Sequence, residues 1–177
     1  MRVFYAVEFE REIKEYLHEK LLIVKNKSVS GNFSRKENIH LTLKFIGEVS
    51  NTEIEALSHL LDQITAGKYS FDLFMNRIGT FNRRNKSIVW IGTEKNQKLL
   101  QLYGDLEKTL SKSGYKEDTR EFSPHITLGR QVKLKPDENI ADISIDETAK
   151  VNKISLMEST RVKGTLTYIP VYTKELG

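Results

Sequence analysis

The chain has no cysteine among its 177 residues. That excludes disulfides, thiolate metal sites and cysteine nucleophiles. It has no apolar run of the length that crosses a bilayer. Its first residues, Met1-Arg2-Val3-Phe4-Tyr5-Ala6-Val7-Glu8, turn acidic too soon for a signal peptide. A cytoplasmic location is the expectation from these absences. Neither sign of charge dominates: the formal net charge is +4 and the pI about 9.1. So mild an excess suits a phosphate or nucleic-acid ligand without specifying one. At 38% hydrophobic and 29% charged, the composition is that of a folded soluble protein rather than a disordered one. The length allows one domain, or one domain of two lobes, with a sizeable core.

Histidine is scarce, at four residues, and two of the four stand in nearly the same setting. One is Ile39-His40-Leu41-Thr42-Leu43-Lys44-Phe45, the other Ser123-Pro124-His125-Ile126-Thr127-Leu128-Gly129-Arg130. Polar and apolar residues alternate in both, and strand side chains point to opposite faces with period two. Each segment therefore reads as a strand with His and Thr on one face and aliphatic anchors on the other. His18 and His59 fall in helical patterns outside either motif and read as incidental.

Around these segments the pattern predicts further elements. Residues 2–7 read as a strand, and residues 10–27 as an amphipathic helix with Ile13, Leu17, Leu21 and Val24 on one face. Residues 28–38 read as loop or short edge strand. Asn51 or Thr52 is the expected cap of a second helix, with Glu53 and Glu55 in its first turn and Gly67 at its end. Residues 69–76 and 87–92 read as strands joined by a basic, turn-rich link over 77–86. Residues 96–113 form the third predicted helix, with Gly114 as C-cap. Residues 132–145 read as mostly loop. Residues 150–159 and 165–172 read as a hairpin about Lys163-Gly164.

His125 follows His40 by 85 residues. The same offset lays residues 2–7 on 87–92, Leu17 on Leu102 and Leu21 on Leu106. Strand, helix and His-x-Thr strand thus recur in one register, which suggests an internal duplication. The expected fold is α+β: one bilobal domain over residues 1–177, with two pseudo-symmetric antiparallel sheets backed by helices and a central cleft between the two His-x-Thr faces.

Imidazole titrates near neutrality, so of two facing rings one can be neutral and the other charged. The neutral ring can take a proton from an attacking water while the charged ring gives one to a leaving oxygen. That is in-line displacement at phosphorus, with Thr42, Thr127 and Arg130 available to hold non-bridging oxygens. A metal site is the weaker alternative, because the same-face neighbours of both histidines are hydroxyls rather than carboxylates. No cofactor is called for, and a monomer is expected.

At these residues the chain resembles the two-histidine phosphoesterase superfamily, whose members carry paired His-x-Thr-x motifs. It most resembles the RNA 2′,3′-cyclic phosphodiesterase (2′-5′ RNA ligase-like) family. The likeness includes Met1–Val7 as first strand, the two signatures, and Ile154-Ser155-Leu156-Met157-Glu158-Ser159 as closing strand. The resemblance implies that His40 is the proton donor and His125 the proton acceptor, with Thr42, Thr127 and Arg130 binding phosphate. It implies hydrolysis of a terminal 2′,3′-cyclic phosphate on RNA to a 2′-phosphomonoester. Some members also join RNA ends through a 2′-5′ linkage.

A straight strand would aim Arg130 away from His125 and Lys44 towards the His40 side. Arg130 can join the site only through a bulge near Gly129. The basic link resembles a family loop, with Asn82 where many members have proline. In it, Phe81 could stack on a base while Arg83, Arg84 or Lys86 touch phosphates. Two other readings remain: a phosphodiesterase for small cyclic nucleotides or 2′-5′ oligonucleotides, and a non-catalytic RNA-binding module.

Overall fold

The computed structural model describes all 177 residues, as nine strands and three α-helices with one short 3-10 turn. In chain order these are β1 (Arg2–Val7), α1 (Arg11–Asn26), β2 (Ser28–Phe33), a 3-10 turn (Lys36–Asn38), β3 (Leu41–Glu48), α2 (Asn51–Thr65), β4 (Phe71–Arg83), β5 (Lys86–Thr93), α3 (Gln97–Lys112), β6 (His125–Leu134), β7 (Glu147–Val151), β8 (Lys153–Val162) and β9 (Thr165–Glu175). The strands form two sheets, ordered β3-β1-β8-β9 and β2-β6-β5-β4-β7, with every pairing antiparallel. The α+β fold of two antiparallel sheets is the one the alternation and helix stripes predict.

The helices form where apolar residues repeat with helical spacing. Leu17, Leu21 and Val24 of α1, Leu57, Leu61 and Ile64 of α2, and Leu99, Leu102, Leu106 and Leu110 of α3 are all buried. They join Val3, Tyr5 and Val7 of β1 and Ile126 and Leu128 of β6 in one core cluster. Each such side chain contributes about 1.5–3 kcal/mol by leaving water. Helix α1 follows a strand of the first sheet yet packs on β2 and β6 of the second, while α2 packs on β8, β9 and α3. The Tyr5 hydroxyl donates to the Leu57 carbonyl at 2.8 Å and ties β1 to α2.

Several boundaries differ from the sequence reading. The cap of α2 is Ser50, not Asn51 or Thr52. Its hydroxyl accepts from the Glu53 amide while Glu53 accepts from the Ser50 amide, a reciprocal capping box. The basic link is no loop: β4 continues to Arg83, β5 begins at Lys86, and only Arg84 and Asn85 turn between them. Arg84 there holds φ at 58°, a value more usual for glycine. The single strand expected over 150–159 is two strands. β7 closes the five-stranded sheet, Asn152 breaks the run, and β8 crosses to the four-stranded sheet. The Lys163-Gly164 turn is as expected, both residues having positive φ, the geometry of a tight two-residue hairpin.

The register also corrects the repeat. Ala6 lies opposite Thr42, and the residue opposite Thr127 is Trp90. The first strands therefore correspond with an offset one residue shorter than the histidines do. This matters because one residue exchanges the two faces of a strand. Tyr5 faces the core, as Val89 does, whereas Ala6 and Trp90 face the groove between the sheets.

Candidate active site

β3 is an edge strand of its sheet, and it approaches β6 of the other sheet to within 8 Å between Cα atoms. His40 directly precedes β3 and His125 opens β6, so both signatures come to the seam between the lobes. Each ring is oriented by the backbone two residues before it. His40 Nδ1 lies 2.7 Å from the Asn38 carbonyl, and His125 Nδ1 lies 2.8 Å from the Ser123 carbonyl. A carbonyl only accepts, so Nδ1 carries the hydrogen in both rings and Nε2 is the nitrogen free for proton transfer. His40 Nε2 lies 2.8 Å from Thr42 Oγ1.

Aromatic side chains wall both rings. Phe4 and Tyr168 sit 5.0 and 5.1 Å from His40. Phe81 and Trp90 sit 5.1 and 6.5 Å from His125. Phe81, expected to stack on a base, thus also presses edge-on against an imidazole. The Trp90 ring lies across Gly79, where an added Cβ would come within 2.5 Å of it. Only glycine leaves that space.

Burial lowers the pKa of His40 from the ordinary 6.5. The bond to the Asn38 carbonyl opposes the shift, and the charges of Lys14 and Arg130, with the His125 ring across the seam, reinforce it. Charge on the second signature therefore reaches the first histidine across the seam.

The placement of the cations turns on two β-bulges. In the β5–β6 pair, Trp90 opposes Thr127 and Val89 opposes Gly129, so Leu128 is the extra residue. Val89 is a core residue, and a Cβ on Gly129 would meet Phe33 and Val132. Gly129 therefore faces the core and Arg130 faces the groove with His125 and Thr127. The same irregularity occurs in the β1–β3 pair: Ala6 opposes Thr42, Tyr5 opposes Lys44, and Leu43 is extra. Lys44 is thereby turned to the core side, which corrects the straight-strand expectation. It is 8% exposed, pairs with Glu107 at 2.8 Å and donates to the Lys116 carbonyl at 2.9 Å.

Arg83 shares a strand face with Phe81, and Arg84 occupies the turn itself. His18 and His59 remain on α1 and α2. The sequence reading missed Asn38 as a positioning residue. Besides holding His40, its buried amide donates to the Leu166 carbonyl at 2.9 Å and accepts from the Tyr168 amide at 3.1 Å, joining the His40 signature to β9. It also missed the aromatic walls. The one available signal was Phe4, which shares strand parity with Ala6.

Two imidazoles oriented through Nδ1, flanking hydroxyls of which Thr42 meets His40 Nε2, and an unpaired guanidinium, on a pair of antiparallel sheets, define a two-histidine phosphoesterase type of site. Residues 13–163 match the model of the 2′-5′ RNA ligase superfamily, and the chain belongs to that family. The RNA 2′,3′-cyclic phosphodiesterase of Thermotoga maritima is 33% identical over 138 residues, covering 77% of this chain and 73% of its own. The Escherichia coli protein of the same name is 30% identical over 172 residues, covering 96% and 93%. Escherichia coli LigT in apo form superposes with a TM-score of 0.78 at 27% identity, covering 99% of this chain and 96% of its own. TT0787 of Thermus thermophilus reaches 0.85 at 21% identity, covering 99% and 98%, and supports the fold.

Proposed function

We propose that this protein hydrolyses the terminal 2′,3′-cyclic phosphate of RNA to a 2′-phosphomonoester. The observation that carries the reading is the pair of rings at one seam between two sheets, each with Nδ1 held by a carbonyl, His125 with Nε2 unpartnered and His40 with Nε2 on the Thr42 hydroxyl. The relatives named RNA 2′,3′-cyclic phosphodiesterase support it.

In this reading His125 Nε2 takes a proton from water as the water oxygen bonds to phosphorus. The bond from phosphorus to the 3′ oxygen breaks, and that oxygen takes the proton from His40 Nε2. The phosphate stays on the 2′ oxygen. Thr42 hydrogen-bonds His40 Nε2 before substrate arrives, and its hydroxyl hydrogen is free to turn to a phosphate oxygen when that nitrogen is protonated. Thr127 and Arg130 hold the remaining oxygens as charge builds. A 5′-hydroxyl in place of water gives a 2′-5′ linkage by the same transfers. No step calls for a metal, and the protein acts as one bilobal unit, a monomer in the cytoplasm.

The test is a short RNA ending in a 2′,3′-cyclic phosphate, incubated with the protein in EDTA. The expected product retains phosphate on the 2′-hydroxyl. His40→Ala and His125→Ala should each lower the rate by about 10²–10⁴-fold while the protein keeps a cooperative melting transition at neutral pH. Undiminished turnover in both variants, or phosphate retained on the 3′ oxygen, rejects the assignment.

A further inference from the structure

Beyond Arg130, the groove face of the second sheet carries two more cations. In β4, Gly79, Phe81 and Arg83 share one face. In β5, Lys86, Ile88 and Trp90 share it, because Phe81 opposes Ile88 and Arg83 opposes Lys86. Phe81 and Trp90 contact His125, so this face is the one that lines the groove. Arg83, Lys86 and Arg130 meet around an open recess of about 450 Å³, completed by Ser87, Ile88 and Gln131.

None of these three cations has a carboxylate within 4.0 Å, and none donates a side-chain hydrogen bond within the protein. Other cations of the chain are unpaired too; these three differ in sharing one recess. Three unneutralised cations on one face repel each other, and a solvated hairpin end gains nothing from gathering them over a recess. An anionic ligand does. The recess is separate from the reacting phosphate: Lys86 lies four residues along β5 from Trp90, which is level with Thr127, or ~13 Å at the usual strand rise. Arg130 stands between the two places, and the long Arg83 and Lys86 side chains, reaching back along this face, would meet the phosphate next to the reacting one.

We propose that Arg83 and Lys86, with Arg130 at the inner rim, bind a second phosphate: the internal phosphodiester on the 5′ side of the terminal nucleotide. The proposal rests on the cyclic phosphodiesterase reading and narrows it to the end of an RNA chain rather than a free cyclic mononucleotide. An RNA end has a phosphate there by construction. A mononucleoside 2′,3′-cyclic phosphate has none.

The test compares three substrates: a mononucleoside 2′,3′-cyclic phosphate, a dinucleotide ending in that group, and the same dinucleotide with its internal linkage replaced by an uncharged methylphosphonate. The wild type should favour the charged dinucleotide over the methylphosphonate at least about tenfold in kcat/KM, chiefly through KM. In Arg83→Gln/Lys86→Gln that preference should collapse to near unity, a non-additivity that reports contact between the cations and the phosphate. The salt dependence of kcat/KM for the charged dinucleotide should become shallower in the same variant. An undiminished preference in the double variant, or no preference in the wild type, overturns the subsite. If none of the three is turned over, it is the catalytic reading that fails. The subsite is then decided by binding of a dinucleotide ending in a 2′-phosphate, with and without the methylphosphonate, to wild type and double variant.

Discussion

β3 and β6 carry the same signature and the same bulge, yet they present different chemistry to the groove. After His125-Ile126-Thr127 and the extra Leu128, Gly129 faces the core and Arg130 the groove. After His40-Leu41-Thr42 and the extra Leu43, Lys44 faces the core and Phe45 takes the place corresponding to Arg130. Phe45 is 49% exposed, with the Arg2 guanidinium 4.9 Å over its ring. The scaffold is nearly symmetric and the site is not. A displacement with one acid and one base, on a chain that leaves in one direction, has no use for a symmetric site. The difference resides in the two residues after each bulge.

The largest effect should come from removing the one groove cation that follows a bulge. Arg130→Ala should lower kcat/KM on a 2′,3′-cyclic end by about 10²–10³-fold, the range for loss of one donor to a developing oxyanion. Phe45→Ala, in the corresponding place, should cost less than about tenfold. Equal losses in steady-state assays would mean that the two strands are functionally equivalent after all.

The next effect separates stability from activity. Lys44→Met leaves the largely covered Glu107 carboxylate without its cation and should destabilise the fold by about 3 kcal/mol, read by urea unfolding. Activity per folded molecule should be nearly preserved. Lys44→Met/Glu107→Leu should recover most of the loss, because the uncompensated charge is gone. A Lys44→Met protein that is stable but inactive would return that lysine to the groove.

A smaller effect is expected where Trp90 crosses Gly79. Gly79→Ala puts a methyl group where the indole lies and should cost about 1–3 kcal/mol by overpacking, together with a change in Trp90 fluorescence, since the chain has one tryptophan. The first sheet has no such crossing. Ala6 and Ser155 face each other there, and Ala6→Gly should leave the fluorescence unchanged.

The periodicities made most of this fold legible, and they failed where a strand changes parity. Each bulge inserts one residue, and simple alternation cannot register it. A straight strand misplaces both Lys44 and Arg130 for this single reason, and Arg130 reaches the groove through the bulge that Gly129 permits. The break at Asn152 had a visible trace: the apolar residues Ala149 and Val151 stand on odd positions, Ile154 and Leu156 on even ones. A slip in parity within one apolar run marks a strand that ends or changes sheet. The capping box at Ser50-x-x-Glu53 was also present in the residues, but Asn51 and Thr52 offered competing caps. The aromatic walls are another matter. Phe4 and Tyr168 are far apart in sequence, and only the pairing of β1, β8 and β9 brings both to His40.

The smallest effect distinguishes the two histidines by the state of one of them. Burial, together with the charges of Lys14 and Arg130 and the nearby His125 ring, holds the His40 pKa below 6.5. Between that lowered value and 6.5 the unfolded chain binds a proton that the folded protein refuses, so stability falls as pH drops through this window and is regained above it. His40→Gln should flatten the change in melting temperature between neutrality and about pH 5, and Arg130→Ala should weaken it by removing one cause. A bound phosphate supplies the opposite charge and should raise the His40 pKa. The alkaline limb assigned to the acid should then lie at higher pH in kcat, which reports the complex, than in kcat/KM, which reports the free enzyme. Identical limbs, with inorganic phosphate leaving the melting profile at acid pH unchanged, would mean that the anion does not reach His40, and a donor that never gains its proton from the bound state could not be the acid.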